Sequence, residues 1–136
     1  MDYNAAALEM HAKYPGKLTV NSLFEVKDRD ALSPASPPGV AEPCRQIKAN
    51  PDDVYKYTFK GRTVAVVTNG TAVLGLGNIG PEAGLPVMEG KCVLFKEFGG
   101  VDAFPICLNA STREEVIAAV KAIAPTFGGI NLEETR

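Results

Sequence analysis

The stretch TVAVVTNGTAVLGLGNIG, residues 63–80, decides how the chain is read. Its first half sets Val64, Ala65, Val66 and Val67 in a row and then breaks at Asn69-Gly70. A continuous apolar run closed by a turn signal is the pattern of a strand buried on both faces. Its second half, GLGNIG at residues 75–80, fits G-x-G-x-x-G, the glycine pattern that opens dinucleotide-binding helices.

That glycine pattern has two readings. A dinucleotide fingerprint needs a strand running straight into its first glycine, a helix whose amide groups face the pyrophosphate, and an acid ending the next strand about 20 residues on. Here only TAVL separates the turn from Gly75, and Glu97, at about the right distance, follows Lys96 within an expected helix. Gly75, Gly77 and Gly80 are therefore weak cofactor candidates, and the plainer reading is a tight turn with close backbone packing. A helix N-terminus there would still attract a carboxylate or phosphate.

Working outward, Pro81 stands where proline suits the first turn of a helix. A helix is expected over residues 81 to about 97, disturbed near Pro86 and Gly90. AFPICLN reads as a second buried strand, Ser111 or Thr112 with Glu115 as a capping box, Arg113 to Ala124 as an amphipathic helix, and FGGINL as a third strand. Strands alternating with helices predict an α/β fold, a mainly parallel sheet flanked by helices.

The N-terminal part is less regular. Ala5 to Tyr14 reads as a short helix stopped by Pro15-Gly16, and KLTVNSLFEV (17–26) as one short strand. Prolines 34, 37, 38 and 43 predict an ordered, extended segment, since each fixes φ and lacks an N–H. An interdomain linker is the alternative, but the 30 or so residues before it are too few for an independent domain. Helical spacing returns over Val40 to Ala49, and Pro51 opens another helix through Tyr57.

With 46% hydrophobic and 22% charged residues, the 136-residue chain has the profile of one soluble domain. Fourteen basic and 16 acidic side chains give a net charge of −2 without long runs of one sign, which leaves no electrostatic footprint for nucleic acid or a membrane. The expected partner is a small molecule. Cys44, Cys92 and Cys107 are far apart and without C-x-x-C spacing, so they read as reduced core thiols. Neither a leader nor a run of about 18 apolar residues is visible, which predicts a cytoplasmic protein.

Three blocks carry a resemblance: PPGVAEPC (37–44), VTNGTAVLGLGNIGPEAGLPVMEGKCVLFKEFGGVDAFPI (67–106) and PTFGGINLEE (125–134). Together they resemble the N-terminal, malate-handling domain of bacterial NAD(P)-dependent malic enzymes, from about residue 5 to residue 134. The resemblance implies oxidative decarboxylation of (S)-malate to pyruvate and CO2. It implies that GLGNIG belongs to the substrate domain, and that NAD(P) is bound mainly by a following Rossmann domain, absent from these residues.

The resemblance assigns roles to individual residues. Lys91, in MEGKCVLF, falls at the position of the lysine that takes the hydroxyl proton, and its neighbours Val87, Met88, Cys92 and Val93 could strip water from the amine. Read without the family, a lone helical lysine is a solvated surface charge. Glu133 and Glu134 fall at a Glu-Asp pair that holds Mg²⁺ or Mn²⁺, with one extra methylene at the second position. The plainer reading of LEETR is a frayed acidic terminus. A further metal aspartate of the family lies beyond residue 136.

The departure is in LSPASPPGVA (32–41), where the family pattern resembles L-x-x-A-Y-[ST]-P-G-V-A. Ser36 stands at the tyrosine acid that protonates C3. Its hydroxyl is an aromatic ring shorter and a far weaker acid than phenol, whose pKa is about 10. Ser36 is not expected to donate that proton, and a rate loss of two or more orders of magnitude, roughly, follows for that step.

The expectation is a malic enzyme substrate domain that does not turn over malate alone and binds no cofactor tightly by itself. The family's usual dimer implies a homodimer or self-association. The alternative is a stand-alone binding or regulatory domain without catalysis, which senses malate, pyruvate or a related dicarboxylate or 2-oxo acid, or pairs with a full-length subunit. A third reading is a small nucleotide-binding protein that uses GLGNIG itself.

Overall fold

A computed structural model describes residues 2–136. Its helices are α1 (Tyr3–Lys13), α2 (Arg29–Leu32), α3 (Ala41–Ala49), α4 (Val54–Tyr57), α5 (Pro81–Gly99) and α6 (Arg113–Ile123); its strands are β1 (Thr63–Thr68), β2 (Asp102–Cys107) and β3 (Gly129–Leu132). The chain packs as two compact units. One comprises the described residues through Thr19 with Arg62–Arg136, the other Val20–Gly61.

In the first unit a three-stranded sheet has the order β2-β1-β3, with both pairings parallel. The VAVV run becomes the central strand because its four consecutive apolar residues let both its faces be covered. Ala65, Val66 and Val67 are fully buried. Val66 packs against Met88 and Cys92 of α5, with Leu18, Val64, Phe95, Ala103 and Cys107 around them. Phe104 of β2 meets Phe127 at 5.9 Å in a tilted pair.

Helix α5 runs unbroken from Pro81 to Gly99, through both Pro86 and Gly90, where a disturbance was expected. Proline removes one helical hydrogen bond, yet Met88 and Cys92 are seated on β1 on the far side of it and hold the axis. The helix stops at Gly100, whose left-handed φ of 67° lets its N–H reach the Lys96 carbonyl. Beyond it, the Asp102 carboxylate accepts from Lys96 Nζ at 2.9 Å and Arg62 Nε at 3.1 Å, which ties the start of β2 to both neighbours. Helix α6 begins with the expected box: the Thr112 hydroxyl accepts from the Glu115 N–H and donates to its carboxylate.

Two sequence expectations fail in the N-terminal part. Residues 17–26 form no strand, because β propensity measures fit to a pleated surface and no strand offers one here. Instead, the Lys17 N–H donates to Glu89 at 2.9 Å, its Nζ donates to the Pro86 carbonyl at 3.0 Å, and Leu18 joins the core. The prolines do not hold an extended segment either. In the second unit they make successive turns in which Ala35, Gly39 and Val40 donate to the carbonyls of Leu32, Ser33 and Ser36, and the Pro37-Pro38 bond is cis. Gly39 passes so close to the Ser33 carbonyl and to Pro34 that a Cβ would overlap both. After α3, the expected helix from Pro51 is a 3-10 turn, Pro51–Asp53, leading into α4.

The three cysteines are free, but only Cys92 is a fully buried core thiol. Cys107 is half-buried, and Cys44 is exposed on α3, contrary to expectation. Helix α3 turns no residue fully inward, so a cysteine on it stays in contact with solvent.

Candidate functional site

Helix α5 buries Met88 and Cys92 against β1, and Lys91 lies between them at the rim of that face. Strand β3 approaches from the other side. Its pairing continues past Leu132, since the Glu133 N–H donates to the Val67 carbonyl at 2.9 Å. Strand alternation then sends Asn131 and Glu133 to the face that Val66 shares with α5. The result is an ion pair, Lys91 Nζ to Glu133 Oε1 at 3.0 Å. Two residues 42 positions apart in sequence, each given a site role by the family resemblance, are thus in contact.

The expected drying of Lys91 is only partial. Its side chain is 41% exposed and that of Glu133 24%, so the pair sits at the mouth of the core with one side open.

Glu134 faces elsewhere. Its backbone takes a left-handed φ of 51°, unusual for a residue with a Cβ. The reversed peptide lets its carbonyl accept from the Ala72 N–H and the Thr68 hydroxyl, both at 3.2 Å. Its carboxylate accepts from the Leu74 N–H at 2.8 Å. Next to it, the Arg136 N–H donates to the Thr71 hydroxyl at 2.9 Å, so residues 133–136 run along the 69–80 loop instead of fraying. The two neighbouring glutamates therefore have different partners.

That loop separates β1 from α5, so GLGNIG does not follow a strand directly. Val73 and Gly77 exchange N–H···O bonds of 2.8 Å in a tight turn, as the plainer reading expected. Gly75, Gly77 and Gly80 all have positive φ, but a Cβ on any of them would meet open space; these glycines serve backbone direction. The close packing expected there occurs instead at Gly70, where a Cβ would overlap the Gly80 carbonyl. Glu97 lies within α5 and not at the end of β2. The loop therefore lacks the strand-loop-helix spacing and the acid that a dinucleotide fingerprint requires.

Ser36 belongs to the second unit. It is half-buried in the proline turns, and its carbonyl accepts from the Val40 N–H at 3.2 Å.

Sequence reading missed Asn131. Its Oδ1 is buried and has no hydrogen-bond partner among the described residues, the one such buried side-chain atom among them. A buried acceptor is costly to leave unpaired, so this oxygen is a candidate acceptor on that face. The signal was present in INLE, where period-two alternation puts Asn131 and Glu133 on one face. Glu133, Glu134 and the Asn131 amide are all hard oxygen donors, the chemistry that Mg²⁺ and Mn²⁺ select. Among the described residues no three or more His, Cys, Asp or Glu side chains converge on a place that could hold a metal ion.

Comparison with known proteins follows the same residues. The family model described as "Malic enzyme, N-terminal domain" matches residues 16–136. The bifunctional malic/malolactic enzyme of Bacillus subtilis is 58% identical over 98% of this chain and 33% of its own length. The NAD-dependent malic enzyme of Geobacillus stearothermophilus is 61% identical over 88% of the chain and 25% of its own. The crystal structure of malic enzyme from Pyrococcus horikoshii superposes with a TM-score of 0.92 at 56% identity, covering 96% of this chain and 31% of that one. The chain thus spans about a quarter to a third of the length of these relatives.

Proposed function

The chain belongs to the malic enzyme N-terminal domain family, and from that membership we propose that it handles the malate side of an oxidative decarboxylation of (S)-malate to pyruvate and CO2. The observation that carries this reading is the contact between Lys91 and Glu133. It puts a candidate base beside a candidate cation ligand at a half-open rim.

Lys91 takes the C2 hydroxyl proton. An amine accepts a proton only when neutral, and Glu133 is the counter-ion of the ammonium in the structure. That contact holds the Lys91 amine at the open rim. Glu133 and Glu134 are the residues that would hold Mg²⁺ or Mn²⁺. Once bound, the metal would polarise the C2 oxygen and carry enolate charge. Asn131 gives the face that carries Glu133 one more oxygen acceptor.

NAD(P) is the oxidant in the proposed reaction, and no residue here is assigned to it, because the 69–80 loop lacks the features a dinucleotide needs. The 136-residue polypeptide by itself is therefore expected not to oxidise malate, since hydride transfer needs the nicotinamide held against C2. Ser36 remains a poor acid for C3.

Titration of the chain with Mn²⁺, followed by loss of the free-ion paramagnetic resonance signal, tests this reading. Binding that tightens with malate and weakens at least roughly tenfold in Glu133→Gln supports it, a change of about 1.4 kcal/mol. Malate binding that ignores both the metal and Glu133 favours a stand-alone binding domain. No binding of either ligand refutes both.

A further inference from the structure

We propose that Glu134 is a clasp on the glycine loop, and that loop clasping and cation binding compete for its carboxylate. The proposal rests on the reading of Glu133 and Glu134 as cation ligands, and its test separates the two.

The geometry carries the first half. Glu134 is held three ways: its carbonyl accepts from Ala72 and Thr68, its carboxylate accepts from Leu74, and its φ lies in the left-handed region. A non-glycine residue keeps that conformation only where its surroundings over-determine it. Here they do so by attaching residue 134 to three points of the 68–74 segment. The carboxylate bond is charge-assisted and short. It reaches the tip of the loop, where Leu74 is 90% and Leu76 65% exposed, so little apolar packing fixes that tip.

The second half is a matter of orientation. Glu133 faces α5 through Lys91, whereas Glu134 faces the loop through Leu74. For both carboxylates to reach one ion, Glu134 must turn from the Leu74 N–H. A divalent cation outcompetes a single amide donor for a carboxylate, so occupancy releases the tip while the turn within the loop, Val73 with Gly77, stays closed. The longer Glu side chain suits this double use, because an aspartate at 134 is one methylene short of the Leu74 N–H.

Amide hydrogen exchange read by NMR on the 136-residue chain tests both halves, with and without saturating Mg²⁺. Without the ion, the Leu74 amide is expected to exchange about tenfold faster in Glu134→Ala and Glu134→Asp, the effect of losing roughly one hydrogen bond, while the Gly77 amide keeps its rate. Equal Leu74 rates in wild type and both variants overturn the clasp. Adding Mg²⁺ to wild type is expected to accelerate Leu74 to the variant rate and to shift the Glu133 and Glu134 carboxylate carbons. Shifted carboxylates with an unchanged Leu74 rate overturn the competition alone. Unshifted carboxylates overturn the cation reading, and the competition with it.

Discussion

Lys91 Nζ stands 3.0 Å from Glu133 Oε1, and this contact joins the middle of α5 to the end of β3 across the rim of the core. Partly exposed pairs of this kind contribute only about 0–1 kcal/mol to folding. In the proposed reading its value is chemical. Lys91→Met is expected to leave the urea midpoint nearly unchanged and, in an enzyme carrying this domain, to lower kcat for malate oxidation by about 10²–10⁴. A large fall in the midpoint with activity intact would assign the lysine to the fold.

Met88 is the largest fully buried side chain and packs on Val66 and Cys92. Met88→Ala is expected to cost about 2–5 kcal/mol, as the cavity it leaves closes only in part. Val87→Ala, on the exposed side of the same helix, is expected to cost within about 0.5 kcal/mol. Urea denaturation of both variants checks the contrast.

Gly70 and Gly75 share positive φ but differ in surroundings. Gly75→Ala meets only the conformational penalty of about 1–2 kcal/mol. Gly70→Ala must also push Gly80 and Pro81 away, and is expected to melt well below it. Thermal melts in parallel decide this, and equal Tm values would contradict the close approach at Gly70.

Burial pushes the Cys92 thiol up to about 11 from its usual 9.0, with smaller contributions from Glu89 and Cys107. The folded form thus binds a proton that the unfolded form has already released between these values. Stability from this thiol is complete below pH 9 and is lost as pH rises toward 11. In Cys92→Ala that part of the alkaline decline disappears. Exposed Cys44 is expected to react with iodoacetamide well before Cys92.

Asp102 acts in the opposite direction. The hydrogen bond from Lys96, then that from Arg62, hold its carboxyl below the ordinary value. Its contribution is present above the unfolded pKa and is lost as pH falls through the folded one. Asp102→Asn is expected to flatten the acid limb of stability against pH while leaving the alkaline limb unchanged.

The central strand, the proline-started helix and the Thr112 box were legible because each depends on a local rule: an apolar run, a missing N–H, a hydroxyl three residues before a glutamate. The strand expected at 17–26 was not, because strands need a neighbour, and sequence does not say that Lys17 bonds to Glu89. The parallel α/β class followed from alternation alone, and the Pyrococcus horikoshii structure has the same fold. At the site, the family resemblance pointed to Lys91 and Glu133, whereas the reversed backbone at Glu134 depends on bonds to residues 60 or more positions away. The orphaned Asn131 oxygen is visible only when neighbours are known.

The strand order β2-β1-β3 means that the first strand to be made is the last to be enclosed. During synthesis the VAVV run leaves the ribosome roughly 64 residues before Leu132. At about 5–20 residues per second it waits about 3–13 s for its second partner. In that interval at least one edge of a strongly apolar strand is open to other nascent chains, and both are until β2 is made. Slower translation between residues 68 and 132 lengthens the time for which that edge stays exposed.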